Sequence, residues 1–237
     1  MLNNLPPVIK NLVLINLLVF VLLNIPRFTQ RPLPLGMESW FFLEKSDLIY
    51  PRAEAEVEGK VRYLVGNASD GYSAIPSGPE DFKPAQIVGH FFAHHELFHF
   101  IFNMMALISL GTGLEYVLTS RKFLEFYLFC GVLGGIFIAF LDPSPNPVLG
   151  ASGAISGVIV SFAVYFPNEK LSFFFLPPVK SGYIALGVGV LSLIFVIRSY
   201  FGYSSGFISH FGHLAGMVSA LIYFGLYKLK NQFLRKL

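Results

Sequence analysis

The run LGASGAISGVIVSFAVYFP, residues 149–167, decides the fold. It carries no charged residue, and a hydrocarbon layer about 30 Å thick is crossed by about 20 apolar residues. It therefore reads as a membrane-spanning helix, and it opens on glycine, alanine and serine where a plain anchor would carry bulky apolar residues. Moving outward, five further runs have the same character, at about 8–26, 86–112, 121–141, 180–199 and 207–227. The expectation is an all-α membrane protein with six transmembrane helices.

Composition agrees with lipid as the solvent. Of 237 residues, 54% are hydrophobic and 13% charged, against about 25% charged in an ordinary soluble domain. Mean hydropathy is +0.62, and 26 residues are phenylalanine. A water-soluble chain cannot hide that much apolar surface. The net charge of +3 does not imply nucleic-acid binding, because the basic residues flank the apolar runs and form no single patch. The lone cysteine, Cys130, lies inside an apolar run and reads as a small buried hydrophobe.

Four regions follow. Residues 1–26 form a first span with a cytoplasmic N-terminus, retained rather than cleaved, since no small-residue cleavage site follows it. Residues 27–85 form a long hydrophilic loop with nine acids and seven bases. Within it, Met37–Tyr50 mixes Trp40, Phe41 and Phe42 with charges and suits either a membrane-interface segment or an aqueous loop. Residues 86–228 hold five further spans, and 229–237 form a basic tail. Lys10, Arg121, Lys122, Lys170, Lys180, Lys228, Lys230, Arg235 and Lys236 fall on one side of this layout, and only Arg198 and the long loop on the other. The positive-inside rule then puts both termini in the cytoplasm and the 27–85 loop outside.

Polar groups inside spans are costly and mark function by default. All six histidines lie in the second and sixth spans: His90, His94, His95, His99, His210 and His213. Gly153 and Gly157 share one face of the fourth span; Gly212, Gly216 and Ala220 share one face of the sixth. Such small-residue faces let helix backbones approach closely, so these two spans are expected to be neighbours.

Gly150-Ala151-Ser152-Gly153 resembles the G-x-S-G motif of rhomboid intramembrane serine proteases. His99 and Asn103, spaced H-x-x-x-N, resemble that family's second-span motif, and His213 before Leu214-Ala215-Gly216 resembles its sixth-span histidine. The three matches come in the family's order and cover about residues 86–220. The resemblance implies a six-helix rhomboid-like bundle. It also implies Ser152 and His213 as catalytic dyad, His99 and Asn103 in the oxyanion hole, and Gly150, Gly153 and Gly216 as supporting motif positions. Its expected substrates are transmembrane segments of other proteins. Ser156 is a departure, standing where many relatives carry an aromatic ring.

The residue chemistry is consistent with this. A serine hydroxyl needs a base to take its proton as it attacks, and neutral imidazole suits that task. No acid is evident beside His213, which makes a dyad. A helix start offers unpaired N–H groups to a developing oxyanion, and His99 and Asn103 lie one turn apart. His94, His95 and His210 read as core histidines or as the lining of an aqueous cavity.

One rival is His95-Glu96-Leu97-Phe98-His99, an H-E-x-x-H zinc signature. It offers no recognisable third ligand and leaves Ser152 and His213 unexplained. A non-catalytic rhomboid-like binder of membrane helices would be favoured by loss of the serine or the histidine, and both are present; buried His and Glu would also suit the proton path of a transporter. No metal or organic cofactor is implied, and the partners are membrane-protein substrates and the bilayer, with no nucleic acid. The absence of an Arg-rich leader favours a bacterial inner membrane over a mitochondrial one.

Overall fold

Backbone N–H and C=O groups in lipid must be satisfied within their own segment, which makes helices of the long apolar runs. The computed structural model describes residues 4–29, 41, 43, 53–57, 60–65, 73–75, 83–142, 148–172, 177–201 and 208–234. Helix α1 (Pro7–Thr29) starts on a proline, whose missing N–H costs nothing at a first helical position. Its polar side chains turn back on the helix: Asn16 and Asn24 donate to the carbonyls of Leu12 and Phe20, each at 2.8 Å.

The second run departs from the continuous 86–112 span expected. A short helix α2 (Gln86–Gly89) passes into a tight turn over His90–Phe92. Ala93 (φ −89°, ψ 141°) and Glu96 (φ −94°, ψ 133°) are extended. Helix α3 (Leu97–Ala106), a π-helical turn (Leu107–Gly111) and helix α4 (Thr112–Leu118) then form one long rod. The physical reason is the polar run His94-His95-Glu96. The extended connector buries His94 completely while leaving Glu96 exposed, whereas a helix would carry three successive polar side chains around its circumference.

Helix α5 (Ser120–Leu141) turns back from α4 across Thr119 alone, at φ 71°. Helix α6 (Ser152–Tyr165) is shorter than the expected 149–167. Gly150 has φ +117°, a value no right-handed helix contains, so the helix begins only after it. Helices α7 (Ser181–Tyr200) and α8 (His210–Leu234) complete the bundle. Between α6 and α7, β4 (Lys170–Leu171) pairs antiparallel with β5 (Val179–Lys180). In the long loop, β1 (Ala53–Val57), β2 (Lys60–Val65) and β3 (Ser73–Ile75) form an antiparallel meander. Apart from Phe41 and Leu43, the Met37–Tyr50 stretch lies outside the described residues.

Among the described residues, four helices are long and apolar enough to cross a membrane: Pro7–Ile25, Leu97–Leu118, Ser120–Leu141 and Ser181–Tyr200. Helix α6 is apolar but shorter. The chain is an all-α membrane protein. Its core centres on α5, where Phe123, Phe126, Tyr127 and Cys130 are fully buried against Ile9 and Leu12 of α1, Leu110 and Leu114, and Ala154 and Val158 of α6. Helix α7 lies at the margin, with Tyr183, Leu186, Leu191 and Leu193 at least half exposed. In water such a face would drive aggregation; in a bilayer it is the ordinary lipid-facing surface.

Candidate active site

Ser152 is the first residue of α6, preceded by a tightly held approach. Val148 pairs with Leu43 of the long loop through two main-chain hydrogen bonds, at 2.9 and 3.0 Å. Gly150 then turns the chain at positive φ, donating its N–H to the carbonyl of His90 at 2.8 Å. A side chain here is excluded twice over: by the backbone angle, and because a Cβ would stand 2.6 Å from the His99 ring. Ser152 itself is half-buried. Ser156, one turn below and buried, donates its hydroxyl to the Ser152 carbonyl at 2.7 Å. That bond makes it a back-bonded packing residue.

His213 lies in the first turn of α8. Ser209 caps this helix, its Oγ accepting from the Gly212 N–H at 3.0 Å and its carbonyl from the His213 N–H at 3.2 Å. The His210 ring stacks on Phe195 of α7 (4.3 Å between centroids, 10° between planes) and meets His213 edge-on at 5.8 Å. His210 also lines a small pocket with Asp142, Phe195, Ser199 and Ser209.

Helices α6 and α8 cross at the glycines expected from the sequence. A Cβ on Gly153 would lie 3.3 Å from the Gly212 carbonyl oxygen, and one on Gly216 would overlap the Gly153 carbonyl. Gly134 of α5 backs the same crossing, where a Cβ would lie 3.7 Å from the Gly216 nitrogen. Ser152 precedes Gly153, and His213 follows Gly212. Both side chains therefore stand in the first turns of two helices in backbone contact, at one end of the bundle. The described hydrogen bonds include none between them.

Helix α3 reaches the site from the other side. His99 packs on Gly150. Asn103 is buried and donates one amide hydrogen to the His99 carbonyl at 2.8 Å, and among the described residues its second amide hydrogen has no acceptor. His95 belongs to the non-helical connector, so His95 and His99 do not share a helical face as a zinc-binding H-E-x-x-H requires. Among the described residues, no three His, Cys, Asp or Glu side chains are grouped to hold a metal ion.

Two polar residues have roles that the sequence does not reveal. Glu115, buried in α4, accepts from the N–H groups of Val8 (3.0 Å) and Ile9 (2.8 Å) and from the Ser120 hydroxyl (2.6 Å). It caps α1 from across the fold, at the opposite end of the bundle from Ser152. An acid within an apolar run is the available signal, but its partners are remote in sequence. His94, which by sequence suits a core or cavity position, touches the backbone beside Ser152.

The chain matches the family model of the rhomboid domain over residues 82–229. It is 34% identical over 108 residues to Rhomboid protein 1, mitochondrial, of Saccharomyces cerevisiae, covering 42% of this chain and 30% of that protein. It is 34% identical over 126 residues to Rhomboid protease GluP of Bacillus subtilis, covering 53% of this chain and 22% of that protein. To the human Presenilin-associated rhomboid-like protein, mitochondrial, it is 28% identical over 136 residues, covering 56% of this chain and 35% of that protein. The matched stretch is thus little more than a third of these relatives' length at most.

Proposed function

The chain belongs to the rhomboid family, its matched residues 82–229 being more than half of its length, and on that premise we propose that it is an intramembrane serine endopeptidase using Ser152 and His213. The observation that carries this reading is the α6–α8 crossing, which sets the two residues in adjoining first turns through Gly153, Gly212 and Gly216. Relatives named as rhomboid proteases support the reaction class.

In the proposed reaction, Ser152 Oγ attacks the substrate carbonyl carbon while His213 takes its proton. Collapse of the tetrahedral intermediate breaks the C–N bond, and His213 passes the proton to the departing amine. Water then attacks the acyl ester, giving its proton to His213; the ester C–O bond breaks, His213 returns the proton to Ser152 Oγ, and the acid leaves. The second amide hydrogen of Asn103 and the imidazole of His99, which packs on Gly150, are assigned to the developing oxyanion. A lost donor of this kind costs about 2.7–4 kcal/mol in the barrier.

Access to water follows from helix length. The 14 residues of α6 cover about 21 Å at 1.5 Å each, against about 30 Å of hydrocarbon. Anchored by the Lys170 hairpin at one surface, α6 begins about 9 Å short of the other. Ser152 then lies in a recess below the outer surface, and bonds in or near another protein's transmembrane segment are the substrates it suits. We read the bundle as six crossings with both termini cytoplasmic and the loop outside. The matched relatives come from bacteria and from mitochondria alike.

The test is turnover of a single-span model substrate by the full chain in vesicles. Ser152→Ala and His213→Ala each abolish cleavage while the protein stays folded, and Asn103→Ala weakens it about 100-fold or more. A serine-directed phosphonate blocks activity and a chelator does not. Activity surviving Ser152→Ala, or inhibition by the chelator alone, overturns the assignment. An intact, folded protein that cuts nothing supports helix binding without cleavage.

A further inference from the structure

The approach to Ser152 contains a main-chain donor with no local acceptor. Ala151 is the residue preceding α6, and its side chain offers no capping oxygen. It is fully buried, so water does not serve it. Its N–H points instead at Nε2 of His94, 3.4 Å away.

His94 is itself fully buried and joins three elements. Its carbonyl accepts from Asn24 of α1 at 3.4 Å. Its ring meets His99 edge-on (5.1 Å between centroids, 68°) and Phe100 likewise (5.6 Å, 79°). His99 in turn packs on Gly150, whose N–H is held by His90. The backbone leading into the nucleophile is thus gripped at two successive amides, by His90 of the tight turn and by His94 of the extended connector that follows it. Only a neutral imidazole with its proton on Nδ1 presents a lone pair at Nε2.

We propose that His94 is a positioning residue for the reaction at Ser152: Nε2 holds the Ala151 amide while the ring braces His99, keeping nucleophile and oxyanion donor in one register. This rests on the Ser152–His213 reading above. His94 touches no reacting atom. It acts by denying the Ala151 amide and the His99 ring any freedom to drift, and misplacement of reacting groups by about 1 Å costs on the order of 100-fold in rate.

The experiment compares His94→Leu, His94→Gln and His94→Asn with the parent protein and Ser152→Ala, all as full-length chains in vesicles. Glutamine places an acceptor oxygen near the Nε2 position; asparagine is too short to reach it. The readouts are kcat, KM and the rate of fluorophosphonate labelling. His94→Leu lowers kcat at least tenfold with KM within twofold, and slows labelling in parallel. His94→Gln recovers at least a third of kcat, and His94→Asn does not. Should His94→Leu fail to fold, the contrast between Gln and Asn carries the test. Equal activity of those two, or near-parental kcat in a folded His94→Leu, overturns the proposal while Ser152→Ala remains inactive. Turnover and labelling that persist in Ser152→Ala remove the premise, and the proposal falls with it.

Discussion

The carbonyl oxygen of Gly153 occupies the space that a side chain on Gly216 would need. This backbone contact sets the separation of the two helices that carry Ser152 and His213. Replacing Gly216 with alanine forces them apart, and overpacking of this kind costs about 1–3 kcal/mol. Gly216→Ala is expected to lower cleavage at least tenfold and reduce thermal stability. Gly153→Ala, whose Cβ would meet the Gly212 oxygen at 3.3 Å, has a smaller effect. Gly225 has nothing within 4 Å, so Gly225→Ala leaves activity unchanged. A Gly216→Ala protein as active as the parent would contradict the crossing.

Glu115 holds α1 in place. Without its carboxylate the N–H groups of Val8 and Ile9 lose their acceptors in a buried setting, at about 1–3 kcal/mol for an unsatisfied group. Glu115→Ala is expected to lower the denaturation midpoint in detergent by that order. Glu115→Gln keeps one acceptor oxygen and loses less. The Val8 end of α1 lies far from Ser152, so KM and kcat measured below the transition change little.

The bridge between Leu43 and Val148 ties the long loop to the approach of the catalytic helix. Leu43→Pro removes the N–H that donates to Val148 at 2.9 Å and is expected to lower turnover at least fivefold. Leu43→Ala keeps both main-chain bonds. It leaves a gap against Ile138 and Val148, and its effect on turnover is within about twofold, although a large-to-small core change still costs about 2–5 kcal/mol of stability. Equal effects of the two variants would show that only the side chain matters.

Much of the site was legible because it is written in local pattern. Apolar run length identified the solvent and the spans, spacing of four put His99 above Asn103, and glycines four apart marked the faces on which α6 and α8 meet. What local pattern does not contain is the partner of a group whose bond crosses the fold. The polar triplet His94-His95-Glu96 sits in a run that is otherwise apolar, so run length favoured one span from 86 to 112. Burial of His94 against Ala151 needed the chain to open there.

By itself, then, the sequence determined that this chain lives in lipid, that its runs are helices, and which side chains are candidates for chemistry. Tertiary structure alone decided where the second helix breaks and which acceptors serve Val8, Ile9 and Ala151. The reason is physical: helix formation is satisfied within four residues, whereas a buried amide at a helix end has no local partner and takes whichever acceptor the packing brings to it.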